Sequence, residues 1–429
     1  MKSKSKWAKL VGTAIVAAIG STAWAEDWPN FRGPTGMGLS ASKSLPLTWG
    51  GKSNENIAWK VSLLTADEKV RFDNNQSSPI VAAGAVYVTM SFWPAASTTK
   101  EFPEHHVVAF DASSGKRLWD TTVPPGPWLL SDLRGGYTAP TPAADGERVY
   151  TLFGSSVIAA IDKKGEIVWR KEIRPHSFDV AIGTSPVLYK DMVLVICELT
   201  RGSRLIAFDK ATGTVRFSQD REGADWTHAT PVLTKVAGRD QLLVAGANAL
   251  QGIDPDTGAL IWWANVTDSP KSRIGDAPSP AHGAGVVYID SGRGGPGIAV
   301  DPTGTGDVTK SHVKWKSPTV SDNSLGSPLI VGDYLYRLQS PGVLKCFKLP
   351  GGELQYSERL QDATPAVSLF AAGDRIYLAN AGKSFVVRQG PTFELLGTSS
   401  LGDSSQSSPA VANDRIYLRG RMHLYCIGK

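Results

Sequence analysis

The stretch AFDASSGKRLW, Ala109 to Trp119, reads as a strand, a tight turn and a second strand, with a Trp four residues beyond the glycine. Glycine tolerates the backbone angles that a tight turn requires, and the flanking runs are short and mostly apolar. The arrangement returns as IDKKGEIVW ending at Trp169, FDKATGTVRF at Phe217, IDPDTGALIW at Trp262 and the longer VDPTGTGDVTKSHVKW at Trp315. A turn that recurs at this spacing reads as scaffold before it reads as catalytic machinery.

Upstream of each unit lies a Ser/Thr/Ala-Pro pair followed by a β-branched or aromatic run, as in SSPIVAAGAVYV and GSPLIVGDYLYRL. The prolines of these pairs are taken as 79, 140, 186, 231, 280, 328, 365 and 409, eight copies with a typical period in the forties. Four short β runs per copy at that period predict propeller blades. In the first copy the strands are expected at about 79–83, 85–90, 106–111 and 117–122.

One column is small in seven of the eight copies: Ala109, Ala160, Ala207, Gly252, Ala299, Cys346 and Cys426. Small side chains there imply close approach of the next blade, and cysteine serves as a small hydrophobe. Cys346 and Cys426 are therefore assigned to the core. With Cys197 they form neither a disulfide framework nor a metal-binding pair.

The last copy stops at Lys429 without an outer strand, and NIAWKVSL near the other end supplies one. Pairing of 57–62 with 422–427 would close the ring and remove its exposed edges. The expected fold is thus all-β, an eight-bladed propeller of four-stranded antiparallel blades over 57–429, preceded by an extension at 26–56. Residues 1–25 read as a signal peptide: Lys2, Lys4, Lys6 and Lys9, a short apolar run, then Ala23-Trp24-Ala25. Periplasmic or secreted location follows as an expectation, with no transmembrane segment after cleavage.

The pattern A-x-D-x-x-x-G-x-x-x-W resembles the pyrroloquinoline-quinone (PQQ) repeat family of eight-bladed propellers, over roughly 57–429. That family includes quinoprotein alcohol and glucose dehydrogenases and the noncatalytic BamB-type outer-membrane assembly protein. The resemblance implies two alternatives: an exported binding scaffold, or a PQQ-dependent oxidoreductase, with calcium, acting on an alcohol or sugar. The adjacent-cysteine pair characteristic of the alcohol dehydrogenases is missing, since the chain has no Cys-Cys. A noncatalytic role without cofactor is favoured. The terminal Trp of each unit has a structural explanation, burying roughly 200 Å² and contributing about 2 to 3 kcal/mol.

The chain has 45 Lys plus Arg against 40 Asp plus Glu. Four of the Lys and no acid lie in residues 1–25, so the remainder is nearly neutral, which argues against nucleic acid as a partner. Loops on the face where blades join carry the candidate site. Arg134, Trp226, Arg273 and Arg293 suit a planar or anionic ligand, because guanidinium pairs with carboxylate and indole stacks on rings. Asp225 and His228 are the best acid-base pair by type and position. Trp93, His105, His106, Trp128 and Tyr137 are expected near the same mouth, with no metal set completed by them. The expected partners are an envelope protein or a small ligand held there by a monomer.

Overall fold

The computed structural model describes residues 27–64, 70–174, 181–197, 203–221, 227–246, 248–267 and 278–429. The expected signal peptide lies outside the described residues. Among the described residues eight sheets follow one another along the chain, each built around a consecutive antiparallel run of strands. In the first blade the strands are Ile80–Ala82, Ala85–Pro94, Glu104–Asp111 and Arg117–Val123, close to the positions expected. Ile57–Ser62 pairs antiparallel with His423–Ile427, so the eighth blade takes its outer strand from the N-terminal side and the ring is sewn shut.

The small column marks the tightest point of each blade. Ala109 sits opposite Tyr87 on one side and Trp119 on the other, and Ala160 opposite Tyr150 and Trp169. Cys346 lies between Tyr336 and Tyr356, and Cys426 between Tyr417 and Trp59. Two large rings flank one small side chain, so the volume of the three-strand row stays nearly constant. All three cysteines are buried and free, and burial pushes the thiols of Cys346 and Cys426 up to about 12 and about 11.

A register shift follows the residue of this column in every blade, between Ala109 and Phe110 in the first. The extra residue increases local twist and turns the outer ring toward the next blade. Trp59, Trp119 and Trp169 donate their indole N–H groups to the carbonyls of Ala112, Lys163 and Lys210 in the following blades. Beneath them lie the turn glycines: a Cβ on Gly115, Gly165 or Gly213 would stand 2.8, 2.9 or 2.5 Å from the covering Trp. These glycines also adopt positive φ, 72°, 89° and 68°. The DASSG turn thus receives Trp59, while its own Trp119 covers the next turn. Trp262 departs from the pattern, turning inward to donate to Gln241 Oε1 at 2.9 Å.

The seventh blade inverts the row, with Val386 in the small column and Gly397 in the Trp position. The extension explains the inversion: a Cβ on Gly397 would meet the Leu47 carbonyl oxygen at 2.2 Å. An indole there would displace the segment that covers this blade. Trp49 N–H donates to Ser399 Oγ nearby, and Leu39–Ser40 adds a parallel strand against Ala371 and Ala372.

The extension crosses the narrow end of the ring before reaching that rim. Trp28 exchanges backbone hydrogen bonds with Val81 in the first blade, and Pro29 accepts one from Ala144 in the second. Arg32, with φ of 64°, then buries its guanidinium against the carbonyls of Pro280 and Pro328 in the fifth and sixth blades.

Candidate functional site

Two of the proline positions taken from the sequence are displaced, and the correction reveals the site. The structurally equivalent residue is not the proline but the hydroxyl before the inner strand: Ser78, Thr141, Ser185, Thr230, Ser279, Ser327, Ser368 and Ser408. In the second blade this is Thr141-Pro142 and not Pro140; in the seventh it is Ser368-Leu369, with no proline, and not Pro365. The common chemistry is an accepting oxygen. Ser78 N–H donates to Thr141 Oγ1 at 2.9 Å, Thr141 N–H to Ser185 Oγ at 3.0 Å, and Ser185 N–H to Thr230 Oγ1 at 3.0 Å. Beyond the fifth blade Ser279 donates to Ser327, Ser327 to Ser368, Ser368 to Ser408 and Ser408 back to Ser78, at 3.2, 3.1, 3.0 and 3.0 Å. Seven of the eight blade junctions are thus clipped through one side chain, all but that between the fourth and fifth blades, and the last clip spans the closure.

All eight residues are buried in the wall and line a central cavity of about 700 Å³. Phe31 of the extension forms part of its lining from the narrow end. At the opposite, loop-bearing mouth stand Gln76, Arg134, His228, Arg293, Asn323 and Gln406. Three of the six sequence-predicted site residues, Arg134, His228 and Arg293, therefore converge on one channel. Asp225, Trp226 and Arg273 lie outside the described residues.

The charges at the mouth differ in setting. Arg134 is exposed and donates to the Asp132 carboxylate through Nε at 2.7 Å, while its carbonyl accepts from the Gln76 amide at 3.1 Å. His228 packs across Gly183, whose missing side chain makes room: a Cβ there would stand 2.2 Å from His228 Nδ1. Burial in the channel wall, aided by the Arg293 guanidinium, lowers the imidazole pKa to about 4, so the ring is neutral at pH 7. In the extension, burial and then the charge of Arg337 bring the Arg32 guanidinium down to about 9. Its hydrogen-bond acceptors are the carbonyls of Met37, Pro280 and Pro328. No carboxylate lines the cavity among the described residues.

The aromatic and histidine residues of the first two connections do not face the mouth as expected. Trp93 is buried, donates to the Glu101 carbonyl at 2.9 Å, and packs edge-on against Tyr137. His105 is enclosed between Ser91 Oγ at 3.0 Å and Ser155 Oγ at 2.8 Å and stacks on Phe153, and burial depresses its pKa to about 3. A strand places His106 on the opposite face, where Nδ1 meets Asp120 at 2.7 Å and Nε2 meets Glu104 at 3.3 Å. The two histidines point apart because side chains alternate along a strand.

Burial alone would lower the His106 pKa, but the hydrogen bonds and charges of Asp120 and Glu104 raise it above 6.5. A raised folded-state value stabilises the fold fully below the unfolded pKa and loses that stabilisation as pH climbs through the folded one. His106→Ala is accordingly expected to lower the melting temperature more at pH 5.5 than at pH 8.5. Equal losses at both pH values would show that the ring acts only by packing on Phe92.

Sequence reasoning missed the hydroxyl girdle, Phe31 and Arg32. The first had a signal in the recurring [ST]-P dipeptide, where the proline was followed in place of its neighbour. Phe31 and Arg32 lie in DWPNFRGPTGMG, which no repeat frames.

The family described as outer membrane protein assembly factor BamB matches residues 103–357. A quinone-type 1-butanol dehydrogenase of Thauera butanivorans is 26% identical over 286 residues, covering 63% of this chain and 40% of that protein. A quinoprotein ethanol dehydrogenase of Pseudomonas aeruginosa is 29% identical over 235 residues, 48% of this chain and 33% of that protein. The chain thus spans less than half the length of these relatives. BamB from Moraxella catarrhalis superimposes with a TM-score of 0.57 at 15% identity, covering 87% of this chain and 97% of that one. At such identity the match speaks for the fold alone. By its repeats, its eight closed blades and the residues matched, the chain belongs to the PQQ-like repeat propeller family described as outer membrane protein assembly factor BamB.

Proposed function

We propose that the protein is an exported, noncatalytic binding scaffold whose central channel receives a small ligand through the mouth bordered by Arg134, His228 and Arg293. The supporting observation is the central cavity itself: eight blades leave a bore ringed by hydroxyls, and the extension contributes Phe31 to its lining. Ligand pockets are concave, mostly pre-formed and of this size, from about 300 to about 1,000 Å³. Export, carried by residues 1–25, belongs to the same proposal. So does an envelope partner at the loop-bearing face, for which the family description offers an analogy.

The test is native mass spectrometry of protein purified from its own envelope extract. A bound small molecule is expected, and Ala366→Trp, which puts an indole into the channel lining, should abolish its retention without lowering the melting temperature. If the wild-type protein retains nothing while capturing one envelope protein reproducibly, the channel reading falls and the partner-scaffold reading stands.

The similarity to two quinone-dependent alcohol dehydrogenases motivates a second reading, a PQQ-dependent oxidoreductase. Arg134 and Arg293 would pair with quinone carboxylates. Calcium fits poorly, since a hard cation takes six to eight oxygen ligands that typically include carboxylates. Among the described residues no cluster of three His, Cys, Asp or Glu side chains is assembled. Calorimetry with PQQ and calcium, followed by a dye-linked dehydrogenase assay, decides it; no binding with or without calcium eliminates the enzyme.

A further inference from the structure

We infer that the channel is built for a sugar acid, an oxygen-rich anion whose hydroxyls meet the girdle while its carboxylate faces the cationic mouth. The inference rests on the ligand-binding reading and names the chemical class of the ligand. Its first support is the unused half of the girdle. A hydroxyl has one proton to donate and two lone pairs to accept with. Seven of the eight oxygens use a lone pair to accept a neighbouring backbone N–H. No protein acceptor among the described residues takes the proton of any of the eight. The hydroxyl protons are thus left to whatever fills the open channel, water or ligand. Each oxygen that accepts one N–H retains a second lone pair. The ring can therefore both donate and accept, which matches a polyol better than a simple ion.

The second support is the sign of the charge. Arg32, next to the lining residue Phe31 but outside the lining itself, is buried with three carbonyls as acceptors and its Nε unbonded. At the mouth stand Arg134, which pairs with Asp132, and Arg293, which bears on the His228 imidazole. With no carboxylate among the described lining residues, the guanidinium groups at the mouth give the cleft one sign of charge and favour an anion there. The third support is shape. Phe31 and the His228 imidazole are the aromatic rings among the described lining residues, and a flat ring of this kind can meet the C–H face of a sugar.

Isothermal titration calorimetry of the signal-cleaved protein with D-glucuronate, D-glucose, glutarate and PQQ tests the assignment. Glucuronate is expected to bind at least tenfold more tightly than glucose, which lacks the carboxylate, and than glutarate, which lacks the hydroxyls. Arg293→Gln should erase the advantage over glucose and leave glucose binding unchanged. Ser327→Ala with Ser368→Ala should weaken both sugars at least tenfold. Because that pair also removes two blade clips, Ser327→Thr with Ser368→Thr is the companion: it keeps the hydroxyls and narrows the bore. Equal affinity for glucose and glucuronate overturns the acid, and equal affinity for glutarate and glucuronate overturns the girdle. Binding of PQQ alone transfers the site to the quinone. If none of the four binds while the native protein retains another molecule, the ligand class is wrong and the channel reading survives; if nothing is retained either, both fail.

Discussion

Asp290→Ala should destabilise the protein by about 3 to 5 kcal/mol, the loss expected when one member of a buried ion pair is removed. Asp290 and Arg337 are almost completely inaccessible, at 0% and 1%. Their contact is two-pronged, Arg337 Nε to Oδ2 at 2.7 Å and Nη2 to Oδ1 at 2.8 Å. The guanidinium also donates to the carbonyls of Gly326, Leu338 and Ser324, and the carboxylate accepts from Gly292 N–H. Truncation leaves a cation with no carboxylate in a setting where its desolvation has already occurred. Urea unfolding followed by tryptophan fluorescence reads the effect. In Asp290→Leu with Arg337→Met, where neither charge remains, most of the loss should be restored. A single variant that unfolds at the wild-type urea concentration would show that water reaches the pair.

The consequence for function is positional. The pair joins the fifth and sixth blades directly behind two mouth segments, 291–295 with Arg293 and 323–326 with Asn323. Loops carry the recognition groups, but their precision comes from the rigid elements that hold them. A conservative Asp290→Asn variant, which stays folded more readily, should therefore weaken ligand retention at the mouth even though Asp290 does not line the channel.

How far these features were legible in the sequence follows the range over which each is determined. The DASSG turn, its neighbouring strands and the small column are local, so their repetition exposed them. Closure by Ile57–Ser62 was legible because one outer strand was missing and one spare strand was present. Cys346 and Cys426 were readable as small core residues because they occupied the column of Ala109 and Ala160. The girdle was not readable as a ring. Its links join residues such as Ser408 and Ser78, 330 positions apart; in the second blade two prolines, 140 and 142, compete for the register, and in the seventh Ser368 carries the clip with no proline after it. The mouth was half legible: Arg134, His228 and Arg293 reach it, whereas Trp93, His105 and Tyr137, on strand ends and returning loops, fold into the gap between the first two blades. Aromatic character alone does not separate a ring that lines a cavity from one that fills an interface, because both bury the same apolar area.

Trp28→Ala should cost about 3 to 5 kcal/mol, the range for removing a large aromatic side chain from a core. Trp28 is 1% exposed, lies against the positive-φ Gly33 and meets Phe370 edge-on with ring centroids 6.3 Å apart. It anchors the extension together with Leu45 and Trp49, and these three share one core cluster with the strands of blades one, seven and eight. Loss of the anchor should make residues 27–50 a substrate for limited proteolysis well before the blades unfold. Phe31→Ala separates the two roles of the segment. Phe31 is only half-buried and faces the channel, so this variant is expected to keep its melting temperature within about 2 °C, a surface-sized effect. It should nevertheless admit larger ligands or lose affinity for the native one, because the bore is then open below. If Phe31→Ala leaves retention unaltered while Trp28→Ala abolishes it, the extension acts only as a clasp on the ring, and the floor of the channel is made by the blades themselves.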